Sequence, residues 1–544
     1  MRSLARLAPA LGQLLLCSLL LCRMAATQAP LGPAPAPAGN PTTPAKAVLG
    51  KILFFEEQLA DNGRVACATC HLPEFGGGDP RRRRNPGDDG VLFTSDDTWG
   101  SPGIERIDAT GLPRADARFG FDEQVTDRAS PSVAMAAWFA ELLWDGSRDG
   151  TLRDPETNTV VLANGAALEN QSLHPLRSDV EMAREGRTWA QIRQRVATLR
   201  PLALASNLPP DVQQALASHP DYPGLFAAAF GDPAVTMPRI AMALGAYQRS
   251  AVPDQTPWDL HQAGVPNALT PQQLQGLQIY QGDARCDLCH PLGLFTDGSF
   301  RALGLVPVSQ DPGRGGVTGD PEDLGRFKTP SVRNAALKTT FLHNGRFTTM
   351  AQLVNFYVNG GGTFTPRDPL MQPLGLDQQE IVALLDFLEN GLVDPRARLR
   401  LPPFDRPTLF AESNPRGANL FGAATAGGGA SPVLLGSSVP WLGNPEWALG
   451  VHAGPPAGIG MMLLSVLPAP PGIVVQGVQL HVDPATLLFA VPVSLDAAGR
   501  GGLVLPVPLL PTFTGLPLAA QALLTPASGP PAWSGTRGAA FTLR

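Results

Sequence analysis

Two copies of one short motif indicate the chemistry of this chain most clearly. Each is a C-x-x-C-H pentapeptide, and together they comprise Cys67, Cys70, His71, Cys286, Cys289 and His290. Two thiols at this spacing lie on one turn of backbone and can add to the two vinyl groups of a haem, while the histidine that follows supplies imidazole to the iron. The sequence therefore predicts two covalently bound haem c groups.

Paired cysteines also occur in redox-active C-x-x-C motifs, zinc sites and disulfides, but these uses fit the sequence less well. A redox motif does not require the trailing histidine, and a zinc site needs cysteine pairs that lie closer together in the chain. Of the six cysteines, Cys17 and Cys22 fall in a predicted signal peptide, so the mature chain keeps only the four in the motifs. No spare thiol is then left for a disulfide.

The N-terminus predicts export. Arg2 and Arg6 precede an apolar run at 11–22 and several alanines, which is the pattern of a secretory signal peptide over residues 1–29. The run is too short to span a bilayer, and no other stretch could do so, so we expect no membrane span. Lipidation is disfavoured because leucines precede Cys22 where a small residue is preferred. We expect a periplasmic or otherwise exported protein.

Length and composition narrow the class of protein. The chain has 544 residues, of which 16% are charged and 44% hydrophobic, and these values predict two to four globular domains. No basic patch with interleaved aromatic residues occurs, so we expect no nucleic-acid partner. Four arginines at 81–84 are the exception. Their Pro, Asn, Gly and Asp neighbours favour a solvated loop, with docking of an acidic partner as the alternative.

Helices must position both motifs. Apolar residues recur at helical spacing over 45–59, and residues 270–273 form a capping-box start before the second motif. A helix followed by a haem motif thus occurs twice, which predicts two mainly α-helical cytochrome c-type domains. The predicted limits are 30–44 for a linker rich in Pro and Ala, 45–265 for the N-terminal domain and 266–400 for the C-terminal one.

The composition changes over residues 401–544. Gly, Pro, Leu and Val dominate there, and short apolar runs alternate with turn signals. Short strands at this spacing predict a β-sandwich-like C-terminal domain. We find no catalytic constellation in it, and we interpret the lone His452 and His481 as structural or surface residues. Attachment or partner binding is the hypothesis for this domain, and it predicts that truncation near Asp405 leaves activity intact.

Six further segments carry a family resemblance. In chain order they are LGKILFF at 49–55, SPS at 130–132, WDG at 144–146, VEM at 180–182, FKTPSVRN at 327–334 and HNGR at 343–346. These segments resemble the bacterial di-haem cytochrome c peroxidase family, which includes MauG. The resemblance extends from about Leu49 to Leu392 and implies two cytochrome c domains packed face to face. It does not cover the tail.

The resemblance implies that hydrogen peroxide reacts at the first haem, while the second haem stores or relays electrons. Many members close the first haem with a distal histidine from the loop that follows the first motif. Here no histidine occurs between His71 and His174. We therefore expect the first haem to be available without prior reduction, as in MauG-like members. Trp99, in the long loop 72–127, is the alternative group that could lie over the iron.

The resemblance also implies two roles near the first haem. Glu181 matches the acid that moves a proton during peroxide cleavage, and a carboxylate in a partly apolar pocket suits that task. Trp144 matches a tryptophan between the two haems, where an indole would shorten the electron path. The ordinary alternatives are a solvated surface glutamate and a buried structural tryptophan.

At the second haem the resemblance points to Tyr357, which follows His343 at the spacing where MauG has a tyrosine ligand and the peroxidases a methionine. A core aromatic residue on a helix at 350–358 is the alternative. His343 itself matches a histidine that supports this haem without binding its iron. Calcium between the domains is an open expectation, because Ala129 replaces the asparagine that often precedes the Ser-Pro pair. We interpret His174, His219 and His261 as surface or hydrogen-bonded histidines.

Taken together, the motifs predict an exported di-haem c peroxidase that reduces hydrogen peroxide. Either a small electron-donor protein restores the enzyme, or the enzyme oxidises Tyr or Trp side chains of a partner protein, as MauG-like members do. The alternative is a non-catalytic di-haem c electron carrier docked through its β-domain. That alternative needs two six-coordinate haems and a resting ferric spectrum without a high-spin component.

Overall fold

The computed structural model of the chain describes residues 31–413, 418–427, 431–528 and 532–544. The signal peptide predicted at residues 1–29 lies outside the described residues. Within the described ranges, no helix is both long and apolar enough to cross a membrane. The chain is mainly helical through Arg398 and mainly β-stranded beyond Ser413.

The region predicted as the first cytochrome domain is mainly helical. Its α-helices are Pro44–Phe54, Cys67–Cys70, Ala167–Leu173, Trp189–Thr198, Pro210–Ser218, Tyr222–Phe230 and Met237–Ser250. Three short antiparallel strand pairs lie between them: Arg83–Asn85 with Thr98–Gly100, Pro102–Glu105 with Glu123–Val125, and Leu152–Arg153 with Val160–Leu162. One apolar core, which Cys67 borders, joins the first and last of these helices.

The second helical region is built in the same way around the second motif. Its α-helices are Pro257–Gln262, Pro271–Gln281, Gly315–Thr318, Met350–Val358, Gln378–Asp386 and Pro395–Arg398, and Phe300–Ala302 pairs with Arg326–Lys328. The predicted capping box is confirmed, because the Thr270 hydroxyl accepts from the Gln273 amide while the Gln273 side chain accepts from the Thr270 amide. The second motif begins on a 3₁₀ turn, Cys286–Leu288.

A glycine allows the same close helix contact in both regions. A Cβ atom added to Gly50, on the helix before the first motif, would lie 1.9 Å from the Ala243 carbonyl oxygen. A Cβ atom on Gly276, before the second motif, would lie 2.1 Å from the Ala383 carbonyl oxygen. Only glycine permits such an approach of two backbones. The predicted duplication therefore extends to the packing of each motif helix.

Two antiparallel sheets form the C-terminal region. One contains Val433–Gly436, Ala448–His452 and Gly501–Val504 in that order, and the other contains Leu487–Ser494, Ile459–Ser465, Pro517–Thr525, Gly538–Thr542 and Asn419–Phe421, with Ser534–Gly535 paired to the middle strand. A hairpin of Val474–Val475 and Val478–Gln479 stands apart. Residues of both sheets share one apolar core, which includes Trp447, Met462 and Phe541.

The segments that flank the helical regions are packed rather than free. In the predicted linker at 30–44, Asn40 is buried and donates to Glu169, while the Pro35 carbonyl accepts from Arg249. After residue 400, Asp405 pairs with Lys51 at 2.8 Å and the buried Arg406 pairs with Glu74. Truncation near Asp405 would therefore also remove these two ion pairs of the first helical region. A cut after Ser413 would keep both pairs but would remove the pairs of Glu446 with Arg184 and Arg195.

Candidate functional site

A cavity of about 520 Å³ lies at the first motif. Cys70 and His71 line it, whereas Cys67 packs against the neighbouring apolar core. Glu181, predicted as the proton-transfer group, also lines this cavity. The cavity thus combines a motif imidazole with a carboxyl group from a distant part of the chain.

Backbone carbonyls orient both motif histidines in the same way. His71 Nδ1 lies 3.0 Å from the Gly77 carbonyl oxygen, and His290 Nδ1 lies 3.1 Å from that of Phe295. Since a carbonyl only accepts, Nδ1 carries the proton and Nε2 keeps its lone pair. Burial lowers the pKa of both imidazoles, which favours this neutral form. A metal-binding histidine requires the same tautomer and orientation.

The surroundings of the four motif thiols favour their protonated form. None of them forms a disulfide, and burial raises the pKa of each, to about 12 for Cys67 and Cys286. Redox-active C-x-x-C motifs instead lower the pKa of their attacking thiol. The environment of these cysteines therefore disfavours the redox-motif alternative.

Glu181 lies in an irregular segment that its neighbours hold in place. The Val180 carbonyl accepts from the Ile104 amide at 3.1 Å, and the Met182 carbonyl accepts from the Asp61 amide at 2.9 Å. Burial raises the pKa of Glu181, although a hydrogen bond with Ser178 and the charge of Arg148 oppose that shift. The carboxylate is consequently a stronger base than an exposed glutamate.

Sequence reasoning missed Gln171, which lines the same cavity together with Pro175. Gln171 lies on the helix Ala167–Leu173, and its Oε1 atom is buried without a hydrogen-bond partner. An unpaired buried oxygen can accept a hydrogen bond from a small molecule in the cavity. The sequence signal for Gln171 is a glutamine on a helix just before the Glu181 segment. This signal is weak unless the fold is known.

A second cavity, of about 200 Å³ and mostly apolar, lies at the second motif. Cys286, Cys289 and His290 line it, and so does Tyr357, the predicted ligand on the helix Met350–Val358. Burial and the nearby motif cysteines raise the pKa of the Tyr357 phenol. Met371 lines the same cavity and is a second candidate ligand that the sequence did not indicate.

Trp144 lies between the two cavities. Among the residues that the structure describes, four line both: Ser132, Trp144, Lys328 and His343. The indole is buried, its N–H donates to the Ala129 carbonyl at 2.8 Å, and its ring centroid lies 6.5 Å from that of His343. The tryptophan therefore stands where a path between the two sites would pass.

His343 is a neutral, stacked residue. Its ring lies 3.6 Å from that of Phe327 and nearly parallel to it, and burial lowers its pKa to about 4. Asp311, 3.9 Å from Nε2, instead pairs with Arg128, which also holds Asp145 at 2.6 Å. This arrangement joins the two helical regions beside Trp144.

The calcium expectation gains no support from the structure. The Ala129 carbonyl oxygen already accepts the Trp144 indole N–H. Within the described residues, no group of three or more His, Cys, Asp or Glu side chains could hold a metal ion. His174, His219, His261, His452 and His481 line neither of the two cavities.

Trp99, considered as a group over the first iron, does not line the cavity. Its ring instead stacks against the guanidinium groups of Arg82, at 3.5 Å, and Arg84, at 4.4 Å. Arg81 pairs with Asp79, and Arg83 and Arg84 also pair with acidic side chains. The arginine run is thus part of the local packing and does not form a free basic patch.

The residues at both cavities fit a c-type haem. Besides the oriented imidazoles and free thiols, Lys328 and Lys338 line the second cavity, and their amines donate only to the carbonyls of Glu141 and Ser130. Among the described residues neither has a carboxylate partner, and burial lowers the pKa of both to about 8. The two propionates of a haem would offset these two buried charges.

Comparisons with known proteins show which proteins this chain is similar to. Residues 44–266 match the family model described as di-haem cytochrome c peroxidase. The chain is 28% identical over 421 residues to cytochrome-c peroxidase IdrP1 of Pseudomonas sp. strain SCT, covering 71% of this chain and 90% of that protein. It is also 28% identical over 367 residues to methylamine utilization protein MauG of Methylorubrum extorquens, covering 67% and 82%. A solved MauG-like protein associated with microbial copper homeostasis gives a TM-score of 0.48 at 25% identity, covering 68% of this chain and 95% of that one.

Proposed function

Because the chain belongs to the di-haem cytochrome c peroxidase and MauG family, whose members are oxidoreductases that use peroxide, we propose that it is an exported peroxidase. Hydrogen peroxide is reduced in the cavity at His71. The observation that carries this proposal is the convergence of Glu181 and Gln171 on a cavity that a motif imidazole also lines. The N-terminal segment 1–29 directs export.

Each motif holds one haem. Cys67 and Cys70 bind the first covalently and His71 ligates its iron, while Cys286, Cys289 and His290 do the same for the second. When bound, the haems supply the iron redox chemistry that transfers two electrons to peroxide. Lys328 and Lys338 would hold the propionates at the second cavity.

Whether a protein side chain would block the iron opposite His71 depends on which residues of the loop 72–127 line the cavity. Its lining residues there are Asn85, Gly87, Asp88, Asp96, Thr98, Ser101, Thr126 and Asp127. None of them is a histidine, methionine or tyrosine, the usual strong protein ligands of a haem iron. No residue of this loop would therefore have to leave the iron before hydrogen peroxide could bind.

Glu181 and Gln171 then act on the bound peroxide. The Glu181 carboxylate accepts a proton from one peroxide oxygen and returns it to the other, which leaves as water. Gln171 Oε1 accepts a hydrogen bond from the peroxide and orients it. In total, hydrogen peroxide takes up two electrons and two protons and gives two water molecules. Trp144 carries electrons between the two sites.

The two electrons come from one of two sources. A small electron-donor protein supplies them one at a time, or Tyr and Trp side chains of a partner protein are oxidised. The absence of a histidine between His71 and His174 and the position of Tyr357 in the second cavity favour the second source. A non-catalytic carrier would have no use for Glu181 in the cavity.

The need of peroxide consumption for an electron donor tests the proposed function. Hydrogen peroxide consumption is measured with a reduced small cytochrome, and separately with a tyrosine-containing protein, as the only electron source. We expect consumption with at least one of them, with two electrons removed per peroxide. A protein that exchanges electrons with the cytochrome but consumes no peroxide would be the carrier instead.

The peroxide reaction should depend on pH through Glu181. Its ionised form accepts the proton, so the rate constant rises with pH and is half-maximal above 4.5, the ordinary value for a glutamate, because burial raises the pKa. Stopped-flow mixing of oxidised protein with peroxide between pH 4 and pH 9 measures this profile. A rate that falls as pH rises through this range would assign the limiting proton to another group.

Tyr357 and Met371 can be distinguished as ligands at the second haem. We expect Tyr357→Phe to convert that haem to a form without a sixth protein ligand, because the phenol oxygen is lost, while Met371→Leu leaves the spectrum unchanged. Ferric absorbance and electron paramagnetic resonance spectra of both variants measure the ligation. In Tyr357→Phe, one of the two haems should be affected. The opposite pattern would assign the ligand to Met371.

A further inference from the structure

Glu446 belongs to the C-terminal sheet region but contacts the first helical region. It precedes the strand Ala448–His452, and its amide donates to the side chain of the buried Asn444 at 3.0 Å. Its Oε1 atom accepts from Arg184 Nη2 at 3.1 Å, and its Oε2 atom pairs with Arg195. The carboxylate is thus fixed between two arginines of another part of the chain.

These arginines connect Glu446 to the segment that carries Glu181. Arg184 follows Glu181 closely in sequence, and its amide donates to Asp61 Oδ2 at 2.6 Å. Arg195 pairs with Asp61 Oδ1 at 2.9 Å. Asp61 in turn donates its own amide to the Met182 carbonyl at 2.9 Å. A short series of direct contacts therefore leads from Glu446 to the residue next to Glu181.

The Glu181 segment depends on such contacts because no helix or strand includes it. On its other side, Ile104 donates to the Val180 carbonyl, and a Cβ on Gly103 would lie only 2.0 Å from that oxygen. The segment is therefore held from two sides: by the strand Pro102–Glu105, and by Asp61, whose side chain pairs with Arg195 beside Glu446. Loss of either contact would change where the Glu181 carboxyl lies.

The charge of Glu446 also balances arginines at this place. Arg184, Arg187 and Arg195 converge on two carboxylates, Asp61 and Glu446. Burial, with Arg195 beside it, already lowers the pKa of Arg187 to about 9. Without Glu446, three guanidinium groups would face a single carboxylate, and their repulsion would act on the Glu181 segment.

We propose that Glu446 is a positioning residue for Glu181, so that the C-terminal sheet region forms part of the peroxide site's architecture. Glu446 itself does not line the cavity. It acts through Arg184 and Arg195, which set the place of the irregular segment. This inference rests on the proposed function, because it gives Glu446 a role only if Glu181 acts on peroxide.

The test compares variants of the full-length protein loaded with haem. Glu446→Gln keeps the shape of the side chain and removes its charge, and Glu446→Asp restores the charge. Asp496→Asn breaks an exposed pair with Arg500 in the same region and is the matched control. Glu181→Gln reports the role of the acid itself. The readouts are the rate constant with hydrogen peroxide, its pH profile, the haem content and the melting temperature.

We expect Glu446→Gln to slow the peroxide reaction by about tenfold and to shift its pH profile, since displaced catalytic groups lose rate steeply. Glu446→Asp should recover part of the rate, and Asp496→Asn should behave as the unchanged protein. A double variant with Arg184→Gln should be no slower than Glu446→Gln, because the two residues act in series.

Two results would overturn the inference. If Glu181→Gln slows the reaction but Glu446→Gln keeps the unchanged rate and pH profile, Glu446 has no positioning role and the proposed function stands. If Glu181→Gln itself leaves the rate unchanged, both proposals fail together. Should Glu446→Gln fold poorly, Glu446→Asp and the Arg184→Gln single variant provide the same comparison.

Discussion

Glu181→Gln will lower the rate constant for the reaction of the oxidised protein with hydrogen peroxide by about 10² to 10⁴, the usual contribution of a positioned general acid–base group. The amide keeps the size of the side chain but cannot accept the proton that peroxide must give up. Stopped-flow absorbance in the Soret region measures the rate. The change should leave haem content as it is, because Glu181 belongs to neither motif.

Glu185→Gln is the matched control for this prediction. Glu185 lies in the same irregular segment and pairs with Arg106 at 2.7 Å, but it does not line the cavity. We expect its rate constant to stay within about twofold of the unchanged protein, as for most surface substitutions. Equal loss in both variants would show that the segment as a whole matters and that the Glu181 carboxyl has no special role.

Replacing both cysteines of one motif should separate the functions of the two sites. Cys286→Ser with Cys289→Ser will give a protein with one covalent haem that still reacts with peroxide but no longer turns over with an external electron donor. A serine hydroxyl forms no thioether, and the second cavity then holds no covalent haem. Haem staining after denaturing electrophoresis, mass spectrometry and donor-dependent peroxide consumption measure the outcome.

The matched control replaces both cysteines of the first motif in place of those of the second. Cys67→Ser with Cys70→Ser should also leave one covalent haem, but this protein should lose the reaction with peroxide. Equal behaviour of the two double variants would contradict the assignment of peroxide reduction to the cavity at His71. Two haems retained in either variant would contradict covalent attachment at that motif.

The features that could be predicted from the sequence are those fixed by neighbours in the chain. The orientation of His71 depends on Gly77, and that of His290 on Phe295, so each motif and the few residues after it contain most of what determines its geometry. The helix start at Thr270 is equally local, because a capping box closes within one turn. The short strands of the C-terminal region follow from alternating apolar runs and turn residues.

The features that could not be predicted depend on contacts between distant residues. Lys338 lies in the second helical region and donates to Ser130 of the first, and nothing near it in sequence marks it as a buried amine. Met371 lines the cavity that Tyr357 lines, although a loop separates it from the helix of Tyr357. Such pairings arise only when the chain packs, and they leave no periodic pattern to read.

Trp99 and the C-terminal region at 401–544 also make contacts that the sequence did not predict. The indole of Trp99 suggested an iron neighbour, but the strand pairing places it opposite Arg84 and away from the cavity. The tail differs in composition from the rest of the chain, which suggested an independent module. In the structure Trp441 belongs to the core of the first helical region, and Glu446 pairs with two of its arginines. Composition reports the type of structure and not its contacts.

The most direct measurement mixes the fully oxidised protein with hydrogen peroxide in the absence of any reductant, after its resting electron paramagnetic resonance spectrum has been recorded. With the face opposite His71 open, one of the two haems should give a high-spin ferric signal, and that signal should disappear within the stopped-flow mixing experiment. A resting spectrum with low-spin signals alone, together with no reaction until the second haem is reduced, would contradict this.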